Sequence, residues 1–246
     1  MLVQACLNGT RPRDYHRRLP VTVEAIAADA ADAVDAGAAE IHLHVRGPSG
    51  AETLALEAAD ATVGALRARL PGTLVGVSTG AWIEGDDDRR LAMIAGWREL
   101  PDHASVNLGE PGAPAVVELL HRRGIGVEAG LASAADAERL VRLGLGPLAL
   151  RVLIEIEEQP LDEAMAAADS ILTVLARAGI RKPVLLHGCE ANVWPFVERA
   201  ARESFSTRVG LEDGSALPDG TTAPSNATLV AVAASIMRRR AGGGGS

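Results

Sequence analysis

The sequence predicts one (β/α)8 barrel of the TIM type, and three observations lead there. Short apolar runs of strand character alternate with Ala-rich helical stretches along the whole chain. Eight such pairs fit into 246 residues, the size of one barrel domain. The Gly-rich G-x-G-x-x-G turn that an open dinucleotide-binding sheet places after its first strand is missing, and the stretch there reads CLNGTRPRD.

In chain order, the first strand is expected at 2–8 (LVQACLN), followed by a helix over 22–37 with Thr22 as N-cap and Gly37 closing it. The second strand is EIHLHV at 40–45, with a helix near 57–69. TLVGVS (73–78) and HASVNL (103–108) are the third and fourth, followed by helices near 87–99 and 113–123. The fifth, IGVEAG at 125–130, leads into a helix over 133–144 that repeats the first one's grammar with Ser133 and Gly144. LALRVLIE (148–155), PVLLHG (183–188) and STRVGL (206–211) complete the strands, with helices near 161–178, 191–203 and 225–239. No repeat, charge block or Pro/Gly/Ser linker interrupts the fold, so residues 1–240 form one domain. AGGGGS at 241–246 reads as a linker outside it.

Composition narrows the function classes. Hydrophobic residues make up 48% and aromatics only 2%, so the core must be built from Ala, Val, Leu and Ile. A net charge of −8 gives no general attraction to nucleic acid or an anionic membrane. No apolar run is long enough to span a bilayer. Cys6 and Cys189 lack a C-x-x-C context and read as inert, which points to a reduced, cytoplasmic chain.

In a barrel of this kind, chemistry sits where strands run into their following loops. AEIHLHVRG (39–47) places His42 and His44 two apart on one strand, hence on one face. Two core histidines, or half of a metal site, would both explain the pair. The eighth strand ends in RVGLED, where Arg208, Glu212 and Asp213 cluster. Glu and Asp before Gly form turns readily. A carboxylate joined to two imidazoles is instead a three-ligand zinc set, which Mn²⁺ or Fe²⁺ also accept. His187 ends the seventh strand as a substrate contact or a helix cap, and Glu155 can face the cavity from the sixth. His103 begins its strand and belongs to the opposite rim, while His121 lies late on a helix. His16 with Arg11, Arg13, Arg17 and Arg18 forms a basic loop after the first strand, suited to an anionic group or simply solvated.

These motifs resemble the beta-keto acid cleavage enzymes. The resemblance runs from Asn8-Gly9 to PSNATLV (224–230) and rests on AGAAEIHLHVR (36–46), VSTG (77–80), ASVNLG (104–109) and RVGLEDG (208–214). It implies a zinc-dependent barrel, a dimer or tetramer, that condenses a β-keto acid with acetyl-CoA to give acetoacetate and a new acyl-CoA. It implies His42, His44 and Glu212 as metal ligands, and Asp213, Arg208, Ser78 and Glu128 as catalytic residues. Asn8, Arg11, Ser105, Asn107 and His187 would contact substrate. Asp213 would move the α proton. Ser78 and Ser105 would hold the substrate carboxylate, and Arg208 would hold a carboxylate or stabilise oxyanion charge. Arg11 stands where members taking amino-bearing substrates carry an acidic residue, which favours neutral or anionic tails. STGAW replaces the usual STGG and puts Trp82 at the mouth. Two alternatives are a metal-dependent aldolase or lyase that uses no CoA, and a non-catalytic barrel that binds a metal or carboxylate.

Overall fold

The computed structural model describes residues 1–242, and residues 243–246 of the expected linker lie outside them. Eight parallel strands form one sheet in the order β7-β6-β5-β4-β3-β2-β1-β8. They are β1 (Val3–Cys6), β2 (Glu40–Leu43), β3 (Leu74–Ser78), β4 (His103–Asn107), β5 (Gly126–Leu131), β6 (Ala149–Ile156), β7 (Val184–Gly188) and β8 (Thr207–Val209). Ser206 N–H donates to Val184 O at 3.0 Å and Leu186 N–H to Ser206 O at 2.9 Å, so the last seam closes and the sheet becomes a barrel.

Helices α1 (Val23–Asp35), α2 (Leu56–Arg69), α3 (Asp87–Gly96), α4 (Ala113–Arg122), α5 (Ala134–Arg142), α6 (Leu161–Arg177), α7 (Val193–Glu203) and α8 (Asn226–Gly242) follow the strands in turn. Local chemistry sets their ends. Thr22 Oγ1 accepts from Ala25 N–H, and Ser133 and Asp136 form a reciprocal capping box. Gly37 leaves α1 at φ +114°, a conformation that favours glycine. Burial of small aliphatic faces holds the helices on the sheet, as the composition requires: Ala30 and Ala33 of α1 and Leu229, Val230, Ala233 and Ala234 of α8 are all buried. α8 packs on α1, α7 and β1, so its apolar face is covered within the chain.

Three strands end two residues before the sequence expectation. β1 stops at Cys6 rather than residue 8, β2 at Leu43 rather than residue 45, and β8 at Val209 rather than residue 211, which leaves it three residues long rather than six. At β8 the cause is a close crossing. A Cβ on Gly210 would lie 1.8 Å from Cys6 O, so only glycine lets the chain pass over β1 and leave the sheet. The turn that follows carries Glu212 and Asp213, with Asp213 N–H donating to Gly210 O at 2.9 Å.

Candidate active site and metal centre

The C-terminal mouth of the barrel holds a cavity of about 410 Å³ whose lining includes His42, His44, Ser78, Arg208, Glu212 and Asp213. Alternation along β2 and the residue beyond it points both imidazoles inward, where each is at least nine-tenths buried. Asn8 fixes His44 in place: its Oδ1 accepts from His44 N–H at 2.9 Å, and its Nδ2 donates to His44 O and Pro20 O. Glu212 Oε1 lies 3.4 Å from His44 Nε2 and 3.9 Å from His42 Nε2. Donors bound to one zinc at about 2.0–2.2 Å stand roughly 3–4 Å apart, so these spacings suit a shared cation.

The chemistry of the donor set agrees. Glu212 Oε2 is buried without a partner. Burial pulls the His42 pKa down to about 4, which keeps that ring neutral and able to donate a lone pair. At His44, burial is outweighed by Glu212 and Glu52, and the pKa rises to about 9. A proton thus sits beside these carboxylates where they favour positive charge. Burial opposes ionisation of Glu212, but Arg208, His44 and His42 together hold its carboxyl well below the usual range. Two other ligand-type groups occur among the described residues, His187/Cys189/Asp213 and Glu40/His103/Glu128. Each already has an arginine on its carboxylates, Arg208 in the first and Arg151 in the second. Arg208 also reaches Glu212, at 2.9 Å, but only through Oε1.

Beside this candidate ligand set lies a second cluster of charged side chains. Asp213 Oδ1 accepts from Arg208 Nη2 at 3.1 Å and faces His187 Nδ1 at 3.4 Å. Its Oδ2 is buried and unpartnered. Arg208 Nη2 and His187 Nε2 both meet Glu155 Oε2, each at 3.1 Å. Burial and Arg208 lower the His187 pKa, yet Asp213 and a hydrogen bond with Cys189 prevail and carry it well above the ordinary value. Glu155 falls to about 2, with burial opposing and Arg208 and His187 driving the change. Ser78 at the end of β3, and Ser105 and Asn107 in the middle and at the end of β4, also line the cavity.

Three residues implied as site members stand behind the lining. Asn8 braces the β2 end, His187 braces Asp213 and Glu155, and Glu128 lies beneath His42. Arg11 lines the cavity, but it is paired with Glu190, donates to Glu212 O at 3.0 Å and stacks over Tyr15 at 4.3 Å. Its charge is therefore already matched, and the expected repulsion of a cationic tail is blunted. His16 is buried against Ala223 O rather than presented by the basic loop. Cys189 lines the cavity and Cys6 is fully buried.

Sequence reasoning overlooked Glu52, which bonds His44 Nδ1 and accepts weakly from Trp82 Nε1 at 3.3 Å. Trp82 in turn stacks on His44 with centroids 6.1 Å apart. The signal was the GPSG turn at 47–50, which folds the chain back so that Glu52 pairs with Arg46 across an antiparallel bridge. Gln159 and Thr10, which also line the cavity, carried no such signal.

Fold and site together define a (β/α)8 barrel protein with a two-histidine, one-carboxylate group at its C-terminal mouth. The chain belongs to the beta-keto acid cleavage enzyme family, whose family model matches residues 1–181 and 136–242. It is 32% identical over 110 residues to the 3-keto-5-aminohexanoate cleavage enzyme of Acetoanaerobium sticklandii, covering 44% of this chain and 39% of that protein. The corresponding enzyme of Fusobacterium nucleatum is 34% identical over 92 residues, 37% of this chain and 34% of that one. The matched stretch thus spans well under half the length of these relatives. Among solved structures, the ternary complex of ObcA with a C4-CoA adduct and oxalate superposes with a TM-score of 0.74 at 19% identity, covering 91% of this chain and 64% of that one. The 3-hexulose-6-phosphate synthase of Salmonella typhimurium superposes at 0.60 with 14% identity, covering 98% and 100%. At these identities both likenesses concern the fold.

Proposed function

We propose that this chain is a metal-dependent acyltransferase that condenses a β-keto acid with acetyl-CoA, giving acetoacetate and a new acyl-CoA. One observation supports this most: a cation-ready ligand set and a carboxylate with a free buried oxygen face the same cavity from adjacent residues, Glu212 and Asp213. His42, His44 and Glu212 would hold the ion, with zinc fitting the nitrogen-rich set best and Mn²⁺ or Fe²⁺ as alternatives. Bound there, it would supply Lewis acidity toward a keto oxygen.

The chain's own residues do the rest. Asp213 is oriented by Arg208 and His187 on one oxygen, and its other oxygen is free to take the α proton of the keto acid. Arg208 also sits where it can balance negative charge that develops beside Asp213 and Glu212. Ser78 and Ser105 offer hydroxyls to the substrate carboxylate, and Asn107 an amide. Trp82, half exposed above His44, covers the ligand set from solvent.

The test is incubation of zinc-loaded protein with a panel of β-keto acids and methyl-¹³C acetyl-CoA. The label is expected in acetoacetate, and the keto acid's acyl group in the new CoA ester. Cleavage that proceeds without acetyl-CoA would move the chain to the lyase reading. No turnover of any panel member would leave a binding protein. The C4-CoA adduct of the ObcA complex supports the choice of co-substrate by kinship of fold alone. The dimer or tetramer implied by the family resemblance should appear in light scattering at micromolar concentration. α8 covers its apolar face within the chain, so that helix gives the oligomer no separate support.

A further inference from the structure

Beneath the candidate metal ligands, the barrel interior is ionic where aliphatic side chains would ordinarily fill it. Gln4 of β1, Glu40 of β2, His103 of β4, Glu128 of β5 and Arg151 of β6 meet there, all buried. Arg151 donates to Glu128 through Nε at 2.8 Å, and its Nη2 bonds both Glu128 and Glu40. Gln4 Nε2 adds bonds of 3.0 Å to Glu40 and 2.9 Å to Glu128. Burying such a network is costly until pairing offsets the lost hydration, so its presence asks for a reason.

The reason lies in how Glu128 is held. Every bond from the layer to this carboxylate lands on Oε1. Oε2 is buried without a partner, and 3.9 Å away it faces His42 Nδ1, also buried without a partner. Two orphaned groups, one able to donate and one to accept, thus confront each other on the side of the ring remote from Glu212.

We propose that Glu128 is the positioning residue of His42: its Oε2 takes the Nδ1–H, fixing the tautomer that leaves the Nε2 lone pair directed at the ion site. The inference rests on the metal reading above and changes the part assigned to Glu128. It does not line the cavity, so it acts through His42 rather than on substrate. The present gap exceeds a hydrogen bond. Closing it satisfies both groups at once, and an imidazole whose Nε2 is engaged by a cation donates more strongly from Nδ1. His44 has the equivalent partner in Glu52, but from a loop at the rim. Glu128 brings its support from the barrel frame, with Arg151 and Gln4 keeping its inner oxygen in place.

The variant that isolates this role is Glu128→Gln. Arg151 and Gln4 donate to the inner position, so a glutamine must turn its carbonyl inward and present its NH2 to His42 Nδ1, favouring the wrong tautomer. Zinc titration against a chelating dye should show affinity weakened about 10- to 100-fold. Glu40→Gln removes a carboxylate from the same layer without touching His42. It should lower the unfolding midpoint yet keep zinc affinity within about twofold of wild type, as expected for a residue outside the ligands' hydrogen-bonding shell. Histidine ¹⁵N shifts of the metal-free wild-type protein should show His42 protonated at Nδ1, a readout that holds even if a variant does not fold. Equal zinc affinity in wild type and Glu128→Gln, or an Nε2–H tautomer at His42, overturns the inference and leaves the metal reading standing. Wild-type protein that binds no zinc removes the metal reading, and this inference with it.

Discussion

Glu212 and Asp213 are neighbours in sequence with different surroundings. Glu212 faces His42 and His44, whereas Asp213 is 1% exposed and turned toward Arg208 and His187. Asp213→Asn keeps size and can still accept from Arg208, but its side chain cannot take a proton at Oδ2. Turnover should fall by roughly 10²–10⁴-fold with zinc content unchanged. Glu212→Gln should instead weaken the metal, and its residual activity should rise with added zinc. Elemental analysis beside kinetics decides. If Asp213→Asn empties the metal while Glu212→Gln retains it, the two roles are exchanged.

At the scale of elements, the turn after β8 is held by Asn226 at the start of α8. Its Oδ1 accepts from Leu211 N–H at 2.7 Å, and its Nδ2 donates to Leu7 O at 2.9 Å and Asp29 Oδ2 at 2.6 Å. Asn226→Ala orphans all three partners and should lower stability by roughly 2–4 kcal/mol in urea unfolding. Zinc affinity should drop with it, because Glu212 follows directly on Leu211. The same clamp gives a pH dependence. Burial raises the Asp29 pKa from 3.8 to about 6, against the Asn226 bond and Arg18, and Asp32 adds to the rise. A carboxyl raised in the folded state favours folding when protonated. Its contribution is largest below the unfolded pKa, fades as pH rises from about 4 to about 6, and is gone above that. Asp29→Asn keeps an acceptor for Asn226 and should stabilise metal-free protein by on the order of 2–3 kcal/mol at pH 7 relative to wild type, with no gain at pH 4. A pH-independent difference between the two proteins would refute the cause given. The eight strand–helix pairs and the inward H-x-H pair were legible because periodicity and capping are local. Glu128 behind His42 and the ionic layer below were not, since their partners come from strands far apart in sequence, whereas Glu52 is near His44 in sequence and reaches it only through the GPSG turn that folds the chain back. The three-residue β8 was hidden for a similar reason: the crossing of Gly210 over Cys6 exists only once the barrel closes.

For the whole molecule, a net charge of −8 is at odds with the proposed co-substrate, acetyl-CoA, which carries several phosphates. The loop after β1 offers local relief at the mouth. Arg11 is matched by Glu190 and Arg18 lies 3.5 Å from Asp32, so neither is a free cation. Arg13 and Arg17 are exposed on the same loop. If CoA phosphates rest here while the keto acid lies deep beside His42 and His44, the two substrates should sense this loop unequally. The double variant Arg13→Ala/Arg17→Ala should raise KM for acetyl-CoA about three- to tenfold, the scale of two exposed charge contacts at roughly 0.2–1 kcal/mol each. KM for the keto acid and kcat should stay within about twofold. Added salt should raise the wild-type KM for acetyl-CoA over the range where the Debye length falls from about 30 to about 10 Å, and the variant should respond less. A variant that loses keto acid affinity instead would place the anionic substrate, not the CoA phosphates, on this loop.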